Sequence, residues 1–245
     1  MLDDIVSWTA GAGWWGLENL SAIPGTVGAT PVQNVGAYGV EVSALTVEVS
    51  AINVSTLEEK IFSKEECNFS YRDSYFKTQE GKCWVITEVV FLLSTGSNPN
   101  VSYSDLSRLV SGNLDLTPLT VREEIISIRS KKFPDWSKVG TAGSFFKNPI
   151  ISPGHFQTLK QAYTELPGFV QQNGDFKVSL GFILDKVCGL RGYCEGSICL
   201  FEKQALVLVV QKGATAHEVK EFVRKVSEIV FQKTNIQIEC EVQFV

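Results

Sequence analysis

Between Gly11 and Gly39 the chain is too rich in glycine and proline for a helix or strand to run through it. The densest part reads GLENLSAIPGTVGATPVQNVGAYGVEV, Gly16 to Val42. Gly25, Gly28, Gly36 and Gly39 have access to backbone angles closed to other residues, and they let a ligand approach the main chain closely. Successive exposed N–H groups in such a loop form an anion-binding concavity. From the residues alone this is a ligand-cradling loop or a tortuous core loop.

The rest of the chain alternates between two periodicities. Leu2 to Ala10 reads as a short amphipathic helix with Ile5, Trp8 and Thr9 on one side. ALTVEVSAI, Ala44 to Ile52, alternates as a strand does, and Cys83 to Leu93 reads as a second, more buried strand. STGSNPN, Ser94 to Asn100, is a turn-rich break and the candidate domain boundary. Thr117 to Lys132 looks helical, with Pro118 near its first turn and a basic end. Thr215-x-x-Glu218 is a capping box. It opens a helix whose stripe is Val219, Phe222, Val223, Val226, Ile229 and Val230. Ile236 to Val245 alternates as a final strand. Strands and helices mix without a strict βαβ beat, which indicates an α+β fold.

Composition removes several function classes. The net charge is −5, and the most basic run, Arg129 to Lys132, holds only three charges, so no nucleic-acid surface is expected. No apolar stretch has the length of a bilayer span, and the acidic start MLDDIVSW is not a signal peptide. A cytoplasmic protein without a membrane partner is expected. Six cysteines with only two histidines supply a zinc site poorly, so no metal is expected and the cysteines read as reduced and structural.

Two short motifs are decoys. Gly11-x-Gly13-x-x-Gly16 matches a dinucleotide fingerprint, but a helix precedes it where a strand is required, and Trp14 and Trp15 would crowd a pyrophosphate. Ser144-x-x-Lys147 matches a serine-enzyme motif that should open a helix, yet Pro149 follows at once and the companion motifs are missing.

The longer blocks carry a stronger signal. GLENLSAIPGTVGA, PVQNVGAYGVEV, YRDSYFK (Tyr71 to Lys77), SYSDL (Ser102 to Leu106), RSKKFPD (Arg129 to Asp135), GSFFKNP (Gly143 to Pro149), KQALVLV (Lys203 to Val209) and IECEVQF (Ile238 to Phe244) run in order along nearly the whole chain. This set resembles the UDP-N-acetylenolpyruvoylglucosamine reductases, flavoenzymes of peptidoglycan synthesis. The resemblance implies the second part of a flavin-binding domain (vanillyl-alcohol-oxidase/PCMH type) over residues 1–96. A linker with a substrate loop over 97–116 and an α+β substrate-binding domain over 117–245 would follow. It implies FAD and NADPH as cofactors, UDP-N-acetylglucosamine enolpyruvate as substrate, and a monomer. The family also carries a glycine-rich βαβ segment upstream of the GLENLS block. This sequence starts just before that block, so a chain lacking part of the flavin grip is expected, with a non-catalytic, sugar-nucleotide-binding remnant as the alternative to a working reductase.

Residue by residue, the resemblance places Ser144 as proton donor to the enolate-like intermediate and Arg72 at the substrate carboxylate. Glu241 falls on the glutamate of the last strand; alternation alone does not separate it from Glu239. Ile23, Pro24, Gly25, Gly28, Ala29, Val32, Gly36 and Tyr71 fall in the flavin-binding segments. Tyr103, Lys132, Asn148 and Gln204 fall on substrate-contacting positions. Cys240 and Gln243 stand where proline and arginine are common in the family, on either side of Glu241.

Overall fold

The computed structural model describes residues 1–106, 108–109 and 116–244. They divide into two compact units, Met1–Arg129 and Ser130–Val245.

The first unit opens with α1 (Leu2–Gly11), which buries Leu2, Val6, Thr9 and Ala10. This is only in part the expected face: Thr9 is buried, but Ile5 and Trp8 are 37% and 61% exposed. The i, i+4, i+7, i+8 spacing of the buried set is equally helical, and packing against Leu17, Leu20 and Val42 chooses it. As expected, no strand precedes the Gly11-x-Gly13-x-x-Gly16 run; α1 does, and Gly13 and Gly16 turn at φ +80° and +139°. The glycine-rich stretch is mostly turns. It includes a two-stranded hairpin of β1 (Gly36–Ala37) and β2 (Val40–Glu41).

A three-stranded antiparallel sheet follows, formed by β3 (Thr46–Asn53), β4 (Glu59–Ser63) and β5 (Trp84–Phe91) in the order β4-β3-β5. The central β3 buries Val49 and Ala51 completely, while β5 lies at the edge with Val85 55% exposed. The expectation that Cys83–Leu93 is the more buried strand is therefore corrected. Its apolar run is continuous, but only one face of an edge strand meets the core formed by Val49, Phe62 and Phe76.

Helix α2 (Pro118–Lys132) carries the expected basic end. Its Val121 and Ile125 pack with Trp15, Tyr38, Leu106 and Leu109 of the first unit. This packing draws the division of the chain to Arg129/Ser130, later than a break at Ser94–Asn100 would put it. That turn-rich segment is stitched into the first unit: Trp15 N donates to Ser94 O at 2.7 Å, and Asn100 Nδ2 donates to Gly39 O at 3.0 Å. Of the expected linker, residues 107 and 110–115 lie outside the described residues.

In the second unit β6 (Gly140–Ser144) is followed by β7 (Ile150–Ile151) and α3 (Pro153–Ala162). Next come β8 (Gly168–Val170), β9 (Phe176–Val178) and a short α4 (Leu180–Phe182), which runs into a π-helical turn at Ile183–Val187. Strands β10 (Cys194–Glu195), β11 (Ile198–Leu200) and β12 (Val207–Val210) complete an antiparallel sheet ordered β10-β11-β12-β6, and β7-β9-β8 form another. Helix α5 (Ala216–Thr234) starts at the capping box, with Thr215 Oγ1 accepting from Glu218 N at 3.3 Å and Glu218 Oε2 accepting from Thr215 N at 2.7 Å. Its Phe222, Val223, Val226 and Val230 enter a core with Phe146, Leu180, Leu184 and Leu200. Each such side chain contributes roughly 1.5–3 kcal/mol of burial.

Two expectations are corrected in this unit. The expected strand over Ile236 to Val245 is not regular among its described residues, 236–244. Its alternation does bury Ile236 and Ile238, but among the described residues its pairing is a single bridge, Cys240 opposite Phe146. The partner segment is short and ends at Pro149, which has no N–H to extend a ladder. Nor are all cysteines reduced: Cys194 and Cys199 form a disulfide. The β10–β11 hairpin sets the two residues directly opposite each other, a proximity that sequence separation alone does not reveal.

Candidate functional site

In the first unit the expected flavin-segment residues meet α1, the three-stranded sheet and the β1–β2 hairpin. The loop begins against α1, with Leu2 N donating to Gly25 O at 3.0 Å and Ile23 packed on the Leu2–Leu17–Leu20 cluster. Pro24 leads into Gly25, whose φ of +124° suits only glycine, and a Cβ there would meet nothing within 4 Å. Gly28 is small for a different reason: a Cβ would come within 3.1 Å of Ile86 O on β5. Ala29 N closes a turn on Thr26 O at 3.2 Å. Val32 packs on the Val49–Phe62 core, and its carbonyl accepts from Ser74 Oγ at 2.7 Å.

Arg72 sits at the tip of a tight turn closed by Ser70 and Asp73, which exchange backbone hydrogen bonds of 3.0 and 3.2 Å. Its φ is +57°, a sparsely populated value for a non-glycine residue, and such values cluster at functional positions. Its Nη2 donates to Gly36 O at 2.9 Å, its guanidinium lies 5.2 Å from the Tyr71 ring centroid, and Lys77 Nζ donates to its carbonyl at 2.7 Å. Gly36 has no room for more: a Cβ would fall 3.2 Å from Arg72 Nη1 and 2.8 Å from Glu41 Cγ.

Asn34 ties these pieces together. Its Nδ2 donates to Glu41 Oε2 at 2.8 Å and to Ser70 O at 3.0 Å, and its Oδ1 accepts from Ser43 N at 3.0 Å. Sequence reasoning passed over it; the available signal was an asparagine, tolerant of its φ of +45°, inside a glycine-rich run. Tyr103 packs edge-on to Tyr38, with ring centroids 5.4 Å apart. Burial, then Asp105 and Tyr71, pushes the Tyr103 phenol above its usual range.

The second unit holds the remaining candidates. Gly143, at φ +75°, turns the chain just before Ser144, the last residue of β6, which pairs with Val207 of β12. Phe145 and Phe146 drop into the core at 3% and 2% exposure, anchoring the segment on both sides of the peptide they share. Glu241 N donates to Phe145 O at 2.8 Å, so the Glu241 backbone lies beside the Ser144–Phe145 segment. Glu239 is engaged elsewhere, with its carboxylate 3.3 Å from Lys147 Nζ. Lys147 is thus an ion-pair partner beyond the end of a strand, as rejecting the serine-enzyme motif requires. Asn148 Oδ1 accepts from Leu180 N at 3.0 Å, and Gln204 Oε1 lies where a Cβ on Gly181 would come within 3.2 Å of it. Asn148 and Gln204 therefore meet the same turn of α4, next to β6. Lys132, half-buried, ends α2.

The model of the UDP-N-acetylenolpyruvoylglucosamine reductase C-terminal domain matches residues 135–245. A UDP-N-acetylenolpyruvoylglucosamine reductase of Bdellovibrio bacteriovorus is 43% identical over 240 residues, covering 98% of this chain and 71% of that protein. The chain belongs to the UDP-N-acetylenolpyruvoylglucosamine reductase family. A family member from Neisseria gonorrhoeae is 40% identical over 242 residues, covering 97% of this chain and 69% of its own length. The crystal structure of the Thermus caldophilus reductase has the same fold, with a TM-score of 0.66 at 23% identity over 99% of this chain and 68% of that one.

Backbone N–H groups of Gly25, Thr26, Val27 and Gly28 have no acceptor among the described residues. A Cβ at Gly25 would meet nothing within 4 Å, so the main chain there is open to an outside acceptor. No helix among the described residues is long and apolar enough to cross a membrane.

Proposed function

We propose that this chain is a flavin- and NADPH-dependent reductase that converts UDP-N-acetylglucosamine enolpyruvate to UDP-N-acetylmuramate for peptidoglycan. The observation that carries the reading is Arg72: an arginine at positive φ whose guanidinium is oriented by Gly36 O and Tyr71. Family membership supplies the reaction class.

Bound FAD would supply hydride chemistry, with NADPH as the source. Ile23, Pro24, Gly25, Gly28, Ala29, Val32, Gly36 and Tyr71 would hold it. Arg72 would offer two parallel donors to the substrate carboxylate as charge builds on it. Ser144 would give its hydroxyl proton to the α-carbon; a hydroxyl suffices because an enolate-like carbon is strongly basic. Phe145 and Phe146, locked in the core, keep the Ser144 backbone from drifting. Glu241, hydrogen-bonded through its N–H to Phe145 O, would assist as a protonated acid or by orienting a donor. Tyr103, Lys132, Asn148 and Gln204 would hold the sugar nucleotide; the Leu180 N–H fixes which way the Asn148 amide faces.

The test separates the two half-reactions. Ser144→Ala should leave flavin reduction by NADPH nearly intact and slow flavin reoxidation by the enolpyruvyl nucleotide by about 10²-fold, the scale of a lost general acid. Equal slowing of both in stopped flow removes Ser144 from the donor role.

A further inference from the structure

The hairpin turn joining β1 and β2 consists of Tyr38 and Gly39, at φ +48° and +84°. A two-residue turn with both angles positive selects asparagine and glycine, because their side chains cost least there. A tyrosine at such a position is strained and persists only where the surroundings hold it. Here the surroundings hold it at both ends. The residue is 7% exposed, and its carbonyl accepts from Asn19 Nδ2 at 2.8 Å. The same amide also donates to Asn100 O at 2.8 Å, three residues before Tyr103. The Arg129 guanidinium is near enough to the Tyr38 phenol to act on it electrostatically. The Tyr103 ring then meets the Tyr38 ring edge-on at 5.4 Å.

Resting on the reductase reading, we propose that Tyr38 is a positioning residue: clamped through its carbonyl by Asn19 and buried at its ring, it sets the orientation in which Tyr103 meets the sugar nucleotide. Tyr38 does not itself touch substrate in this role. An edge-to-face pair at this separation changes an equilibrium by roughly 2- to 10-fold, so the effect belongs in substrate affinity rather than in turnover.

Two measurements test it. The chain labelled with 3-fluorotyrosine gives resonances for its six tyrosines, and Tyr103→Phe and Tyr38→Phe assign the relevant pair. Tyr38→Leu should shift the Tyr103 resonance, and Tyr103→Leu, a change at a half-exposed ring that leaves the core alone, should shift that of Tyr38. In titrations with UDP-N-acetylmuramate, Tyr38→Leu should raise Kd about 5-fold, within the pair's expected range. In a Tyr103→Leu background the same change should raise it by less than about 2-fold, because the coupled partner is already gone. Resonances that do not respond to the partner's replacement overturn the proposal, as does an equal loss of affinity in both backgrounds. If the unaltered chain binds no UDP-N-acetylmuramate, the reductase reading fails, while the reciprocal resonance shifts still decide whether the two tyrosines are coupled.

Discussion

Asp3→Ala should destabilise the first unit by about 2 kcal/mol, a value set between the limits for buried and exposed ion pairs. Asp3 accepts from Arg122 Nη1 and Nη2 at 2.5 and 2.9 Å and from Ala22 N at 2.6 Å, so it ties α1 to α2 and to the start of the glycine-rich loop. The Arg122 side chain is 11% exposed and that of Asp3 37%. Stranding a fully buried charge costs about 3–5 kcal/mol, and breaking an exposed pair at most about 1. A buried arginine with a one-third exposed partner lies between, and the lost Ala22 bond belongs to the same total. Guanidinium denaturation followed by tryptophan fluorescence measures it. Asp3→Ala combined with Arg122→Met removes the stranded charge and should recover at least half of the loss. A single variant within about 0.5 kcal/mol of the parent, the scale of an ordinary surface change, would refute the reasoning, as would a double variant no better than the single. The pH dependence has a definite sign. Hydrogen bonding to Arg122, against the opposing effect of burial, lowers the folded-state pKa of Asp3. Its contribution is therefore fully present above the unfolded value of about 3.9 and is lost as pH falls through the lower folded value. The gap between parent and Asp3→Ala should be flat near neutral pH and close on strong acidification.

Arg72→Lys keeps the charge but loses the planar fork that Gly36 O orients. It should lower kcat/KM by about 3 kcal/mol, the cost of a lost donor at developing charge, and near-parental turnover would show that a point charge is enough. Thr215→Ala removes the capping box of α5 and should cost about 1 kcal/mol of stability; a smaller loss in thermal unfolding than from a mid-helix surface alanine would mean that the cap contributes nothing.

Features that depend on a few neighbouring residues were legible in the sequence. The capping box and apolar stripe of α5 are local, because a helix repeats every 3.6 residues and its first turn needs an acceptor at a set distance. The glycine-rich loop was legible for the same reason, since φ values such as that of Gly25 are closed to other residues. Tertiary structure decided everything that depended on a distant partner. The buried face of α1, the edge position of β5 and the irregular final segment each satisfied a sequence period but lacked, or exchanged, the surface it assumed. The Cys194–Cys199 bond needed a hairpin register, and the late division of the chain needed Val121 and Ile125 to choose their neighbours. Tyr38, Asn34 and Arg129 carry no motif chemistry of their own; they matter because folding brings residues far apart in the chain within hydrogen-bonding or ring-contact distance, and no periodicity along one chain encodes that meeting.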